Sequence, residues 1–192
     1  MFTPALRLEQ PLQINRKLFS REWETQSCWQ ALQSGQTVAL SGNGGVGKTS
    51  LASHLANKWR QSNVFWFTVQ PGVNDHVQSI VFALGYFFRT LGEPILWQEM
   101  LPKTTSLASD ILVHLIRDSL QKLNQPDNRL LFCFDEVDRL DPATHSVHME
   151  VVSLLNILGR EKVALLFVGH QPLLESQQSF RLEDLTLPAT SL

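Results

Sequence analysis

This sequence predicts an α/β fold in three layers, with a mainly parallel five-stranded sheet flanked by helices. Three observations carry that reading. Four short apolar runs, 37–40, 64–69, 130–134 and 163–168, contain almost no polar alternation, as strands buried on both faces require. Apolar residues at helical spacing recur between them, one stripe per segment, the pattern of a helix covering a sheet. Strands and helices also alternate along the chain, which implies parallel pairing through right-handed crossovers.

The elements follow in order. Residues 1–20 are a lead-in in which Pro4 and Pro11 interrupt any helix, and the core is expected over 21–192. After the first strand, Leu51, Leu55 and Trp59 mark a helix. After the second, Val77, Ile80, Val81, Leu84, Phe87, Phe88 and Leu91 make a long stripe. Residues 92–103, with Pro94 and Pro102, read as a link to a further helix carrying Leu107, Ile111, Leu115 and Leu123. Val147, Val151, Leu154, Leu155 and Leu158 form the last stripe, between the third and fourth strands. Residues 181–187 supply a fifth strand, which Pro188 ends.

The totals bound the rest. A chain of 192 residues, 43% hydrophobic and 18% charged, is ample for one core. It contains no long apolar span for a membrane and no charged-then-apolar leader. Two cysteines make no disulfide framework, and Cys133 lies within an apolar run as a small hydrophobe, so a reducing, cytoplasmic setting is expected. A net charge of −2, with Arg16-Lys17 the longest basic cluster, argues against a dedicated nucleic-acid surface.

The chemistry concentrates in residues 41–50, which hold four of the ten glycines. Gly42-Asn43-Gly44-Gly45-Val46-Gly47-Lys48-Thr49 fits G-x-x-x-x-G-K-[ST], with an apolar strand before it and an amphipathic helix after it. Glycines let successive backbone N–H groups turn into an anion-binding hollow, and the new helix adds its positive end. Lys48 supplies a point charge for β and γ phosphates, Thr49 a hydroxyl for Mg²⁺, and Ser50 completes the nucleotide-facing set. A metal-side carboxylate is also needed. In 130–136 a buried apolar run ends in Asp135-Glu136, at the strand edge where open α/β sheets bind ligands. Asp135 is placed for Mg²⁺, and Glu136 to activate water, with Asp138 a second candidate for that task.

The fourth strand ends in Gly169-His170-Gln171. His170 or Gln171 can sense the γ-phosphate there; the alternative is a histidine facing solvent. Other residues carry less. His145 and His148 lack further ligands for a metal, His54 reads as exposed, and Lys103-Thr104-Thr105 lacks the glycines. The five tryptophans, at 23, 29, 59, 66 and 97, read as core or partner-facing.

With these motifs placed, the chain resembles the nucleotide-binding domain of a STAND-type signalling ATPase, the group that includes NACHT and NB-ARC domains. "GNGGVGKTSLA" is close to that group's phosphate loop. Leu18-Phe19-Ser20-Arg21-Glu22 resembles its hydrophobic-Gly-Arg-Glu element near the adenine, with serine in place of glycine. "LLFCFDEVDRL" resembles the acidic strand in its Asp-Glu form, and Gly169-His170 stands where the family has a strand-end arginine. The resemblance covers about residues 15 to 192. It implies a P-loop NTPase core of the ASCE type with ATP and Mg²⁺ as cofactors, and a base-side role for Phe19 and Arg21. It also implies a longer parent chain with a helical lid, winged helix and repeat domains, and self-oligomerisation on activation. The function implied is a slowly hydrolysing signalling switch. Two rivals stand beside it: an AAA+ or initiator-type turnover ATPase acting on nucleic acid or protein, and a non-hydrolysing scaffold.

Overall fold

The computed structural model describes residues 8–13, 21–100, 109–140, 146–161, 163–171 and 178–182. Five parallel strands form one sheet: β1 (Thr37–Gly42), β2 (Val64–Thr68), β3 (Leu131–Asp135), β4 (Ala164–Val168) and β5 (Gln178–Leu182). Their spatial order is β2-β3-β4-β1-β5. β4 therefore lies between the glycine-loop strand and the acidic strand. In register, Leu40 stands opposite Val168 and Phe134 opposite Phe167. The tips of β1, β3 and β4 thus meet at one edge of the sheet, which is where Gly42, Asp135 and Gly169-His170 are found.

Among the described residues, six α-helices accompany the sheet: α1 (Glu22–Gln33), α2 (Lys48–Lys58), α3 (Val77–Thr90), α4 (Ile95–Met100), α5 (Ser109–Leu123) and α6 (Ser146–Arg160). Successive strand residues point to opposite faces, and both faces here are apolar. Trp66, Cys133, Leu166 and Val168 pack with Leu32 of α1 and Leu51, Leu55 and Ala56 of α2. Phe65, Phe67, Phe132, Phe134 and Phe167 pack with residues of α3, α5 and α6 on the other side. That is the three-layer arrangement predicted, and it explains why the strands read as unbroken apolar runs.

The second face is aromatic. Phe132 is fully buried, with its ring centroid 5.7 Å from Phe65, 6.0 Å from Phe87 and 6.4 Å from Phe88. Phe132→Ala is expected to cost about 3–5 kcal/mol through lost burial and a residual cavity. The check is a lowered urea midpoint at unchanged slope. A loss under about 1 kcal/mol would show that this ring layer does not hold α3 to the sheet.

Several expectations shift. The apolar spacing does not mark α1: of its 12 residues only Cys28, Ala31 and Leu32 are buried, too thin a stripe to read. α4 lies inside the expected link 92–103, anchored by buried Leu96 and Trp97, with Trp97 against the rings of Phe82 (4.7 Å) and Tyr86 (5.3 Å). On α5 the buried residues are Ile116, Ser119 and Leu120, whereas Ile111 faces solvent, because the packing face is rotated from the expected stripe. β5 begins at Gln178 rather than 181, and residues 183–188 lie outside the described ones. Its residues alternate between exposed Ser179 and Arg181 and buried Phe180 and Leu182, as an edge strand does. Trp59 lies past the end of α2, and its indole N–H donates to the Arg129 carbonyl at 2.8 Å. His54 is half-buried rather than exposed; burial first and then Lys58 lower its pKa.

The lead-in contributes too. Glu9 bridges antiparallel to Trp66, and its carboxylate accepts the Thr68 amide at 2.8 Å, which covers the outer edge of β2 there. Both cysteines are free and buried. Burial, then the nearby Glu24 charge, pushes the Cys28 thiol up to about 12. Burial and the Asp135 charge push Cys133 well above its ordinary value, so neither thiol is poised to react. Among the described residues no helix is long and apolar enough to cross a membrane.

Candidate functional site

The glycine loop runs from the tip of β1 to the first turn of α2. Gly42 has φ +141°, and a Cβ on it would sit 2.3 Å from the Leu182 carbonyl oxygen of β5. No other residue fits that approach. Gly45 and Gly47 also have positive φ, at +83° and +89°, and Gly47 caps α2 with no side-chain acceptor on its amides. The first amides of α2 are therefore left for an anion, at the positive end of a helix of 11 residues. The Lys48 ammonium donates to the carbonyls of Gly42 (2.9 Å) and Asn43 (2.8 Å), folded over the loop it serves. Thr49 and Ser50 follow it into the first turn.

The loop has a support on its flank. Arg21, at the N-terminus of α1, is buried and ion-pairs with Glu24 at 2.8 Å. Its second guanidinium nitrogen lies 3.4 Å from the Val46 carbonyl. The structure thus brings Arg21 to the outside of the phosphate loop; Phe19 lies outside the described residues.

Across the hollow stands the acidic strand. Asp135 closes β3 at only 5% exposure, and its Oδ1 accepts the Thr49 hydroxyl (3.3 Å) and the Glu136 amide (3.0 Å). Burial, partly offset by those two hydrogen bonds, raises its pKa above the ordinary carboxylate value. A desolvated carboxylate beside a hydroxyl is the hard-oxygen donor pair that suits Mg²⁺, which takes few protein ligands and keeps water and phosphate oxygens for the rest. Thr49 and Asp135 are the residues that would hold it, and bound there the cation would neutralise charge on the β and γ phosphates. Among the described residues, no group of three or more His, Cys, Asp or Glu side chains could form a metal cage by itself.

The raised pKa has a sign that can be tested. With the folded value above the unfolded one, the group favours folding below the ordinary carboxylate range and loses that contribution as pH rises through its folded pKa. At pH 7 the buried charge is a net cost. Asp135→Asn is therefore expected to leave the Tm of the nucleotide-free protein at pH 7 equal or higher, while removing the Mg²⁺-dependent part of nucleotide stabilisation. A lower nucleotide-free Tm at pH 7 would contradict the direction.

Glu136 follows in left-handed backbone (φ 60°, ψ 35°), unique among described non-glycine residues. Its carboxylate pairs with Arg139 at 2.8 Å, with both side chains well exposed. Asp138 turns instead toward β4 and accepts the His170 amide at 3.1 Å. His170 lies over the phosphate loop: its Cε1 is 3.8 Å from the place of a Cβ on Gly44. Gln171 is exposed. Lys48, Thr49, Asp135, Glu136, Asp138 and His170 therefore share one edge, and Arg21 stands behind it. What sequence reasoning missed is Arg139 as partner to Glu136, though the three-residue spacing carried the signal. The contact of Asp138 with His170 had none, since it depends on β3 lying beside β4. His145 and Lys103-Thr104-Thr105 fall outside the described residues, as does the side chain of His148.

Comparison with known proteins agrees with this geometry. The AAA ATPase domain family (AAA_16) matches residues 17–168. Curated protein sequences yield no significant match. Among solved structures, the chain is similar to Cdc6p from Pyrobaculum aerophilum (TM-score 0.56, 18% identity, 90% of this chain and 48% of that one). It is also similar to the Aeropyrum pernix Orc1 protein, solved in complex with DNA (0.54, 15%, 88% and 47%). A Walker-type ATPase of Pyrococcus abyssi is a third (0.52, 14%, 86% and 53%). At such identities the likeness speaks to the fold, and the chain spans about half the length of these structures. A phosphate loop, an acidic strand one strand removed from it and a family match over most of the sequence converge: the chain belongs to the AAA ATPase domain family and is a P-loop ATPase.

Proposed function

We propose that this domain is a nucleotide-operated switch of the STAND type, which binds ATP with Mg²⁺, hydrolyses it slowly and passes its state to further domains of a longer chain. One observation carries the reading: the two side chains that it makes catalytic both hold partners within the domain itself. Lys48 lies on the carbonyls of its own loop, and Glu136 is tied to Arg139. Such a site turns over slowly until a further domain draws Glu136 away from Arg139. Moving a population from about 1:99 to 99:1 takes roughly 5.5 kcal/mol of preference for one state. Charge-assisted phosphate contacts of about 1.5–3 kcal/mol each supply that when a few are made in one state only.

The likeness to Cdc6p and Orc1 favours a second reading, an initiator-like ATPase whose turnover answers to DNA. One assay separates them: steady-state hydrolysis at about 0.15 M salt, with and without duplex DNA. The switch reading expects turnover well under about 1 s⁻¹, against a typical enzyme near 10 s⁻¹, and no response to DNA. Stimulation of tenfold or more by duplex would select the initiator reading.

A further inference from the structure

We propose that Asp138 is a positioning residue for His170, and that this pair makes capture of a terminal phosphate take up a proton. The proposal rests on the nucleotide reading above and adds its regulation by pH.

Gly169 lets the two residues meet. A Cβ there would lie 2.8 Å from Asp138 Oδ1 and 3.3 Å from the Asp138 amide nitrogen. With no side chain in the way, the His170 amide donates to Asp138 Oδ1 at 3.1 Å, and His170 Nε2 lies 4.0 Å from Oδ2. The His170 carbonyl accepts the Gly42 amide at 3.3 Å, which ties the same residue to the start of the phosphate loop. The ring therefore stands between a carboxylate and the hollow, over Gly44, with its side chain still 55% exposed.

The chemistry follows from the two ring nitrogens. A carboxylate on the Nε2 side favours a proton there, which leaves Nδ1 of the neutral ring as a lone pair. A lone pair repels a phosphate oxygen; only the imidazolium donates from both nitrogens. Asp138 on one side and a terminal phosphate on the other stabilise that cation together. Among the described residues, the charged groups on the elements around the ring are Asp135, Glu136, Asp138 and Arg139 at and after the tip of β3, and Lys48 on the loop after β1. Lys48 and Arg139 oppose the added charge, but Arg139 is already paired with Glu136. The proton taken up on binding comes from solvent. By linkage, affinity for a triphosphate falls as pH rises, by up to about tenfold per pH unit where one full proton is coupled. A diphosphate, lacking the terminal group, shows less of this dependence.

The test is calorimetry at pH 7.5 with saturating Mg²⁺, in two buffers of unlike ionisation heat, using a non-hydrolysable ATP analogue and ADP. The expected result is proton uptake with the analogue and less with ADP. His170→Asn should bind the analogue without the uptake, and Asp138→Asn should diminish it. Equal uptake by wild type and His170→Asn, or by analogue and ADP, overturns the proposal and leaves the nucleotide site standing. No binding of either nucleotide by the wild type overturns both. Should the variants not fold, the wild type decides by NMR. One of its six histidine Cε1–H resonances must titrate at higher pH with the analogue than with ADP, and none doing so refutes the coupling.

Discussion

Lys48→Ala is expected to erase the thermal stabilisation that MgATP gives this protein. Ligand at a hundredfold excess over Kd stabilises a fold by about 2.7 kcal/mol, which for a domain of this size raises Tm by roughly 5–10 °C. The lysine is central because its ammonium is already at the mouth of the loop, 2.9 Å and 2.8 Å from the Gly42 and Asn43 carbonyls. It needs only to exchange two backbone acceptors for phosphate oxygens. Charge-assisted bonds of that kind contribute about 1.5–3 kcal/mol each, so losing two weakens binding by at least two orders of magnitude. The apo fold loses little, since the contact to Asn43 is exposed and both carbonyls can turn to water. The measurement is a melting curve with and without MgATP for both proteins. A variant that gains as many degrees as wild type would remove Lys48 from the phosphate site.

The loop containing Lys48 was legible in the sequence because its physics is local. Turning four glycines, a lysine and a threonine into an anion hollow needs only a strand before them and a helix after them, and both were written in apolar spacing. The acidic strand was legible for the same reason, as a buried run ending in charge. What was not legible depends on neighbours distant in sequence. The left-handed turn at Glu136 leaves Asp138 facing Gly169, and that meeting exists only because β4 lies beside β3. The 2.3 Å approach of Leu182 to Gly42 needs β5 on the far side of β1. α1 and β5 were hidden or misplaced for a different reason. Each lies at a margin of the fold and buries only two or three side chains, so its sequence reads as mostly polar. Marginal elements carry weak periodicity whatever their role, and α1 carries the arginine that supports the loop.

The second large effect belongs to Glu136. Glu136→Gln is expected to keep MgATP binding within about twofold and to lower hydrolysis by 10²–10⁴, the usual worth of a positioned proton acceptor. The backbone argues for this role. A non-glycine residue at φ 60° carries strain on the order of 1–3 kcal/mol, and the Glu136 amide, donated to Asp135 Oδ1, helps to hold it there. That turn separates the two neighbouring acids, sending Asp135 toward Thr49 and leaving the Glu136 carboxylate at the open edge with Arg139. Glutamine preserves the size, the turn and one acceptor toward Arg139, so only proton acceptance is lost. Arg139→Ala supplies the complement: with the carboxylate released, hydrolysis should rise or hold and should not fall. Asp138 is the competing base, but one of its oxygens is already taken by the His170 amide. Single-turnover hydrolysis of both carboxylate variants decides between them. If Glu136→Gln retained wild-type rates while Asp138→Asn lost them, the water-activating role would pass to Asp138, and the ion pair with Arg139 would be a surface contact with no part in turnover.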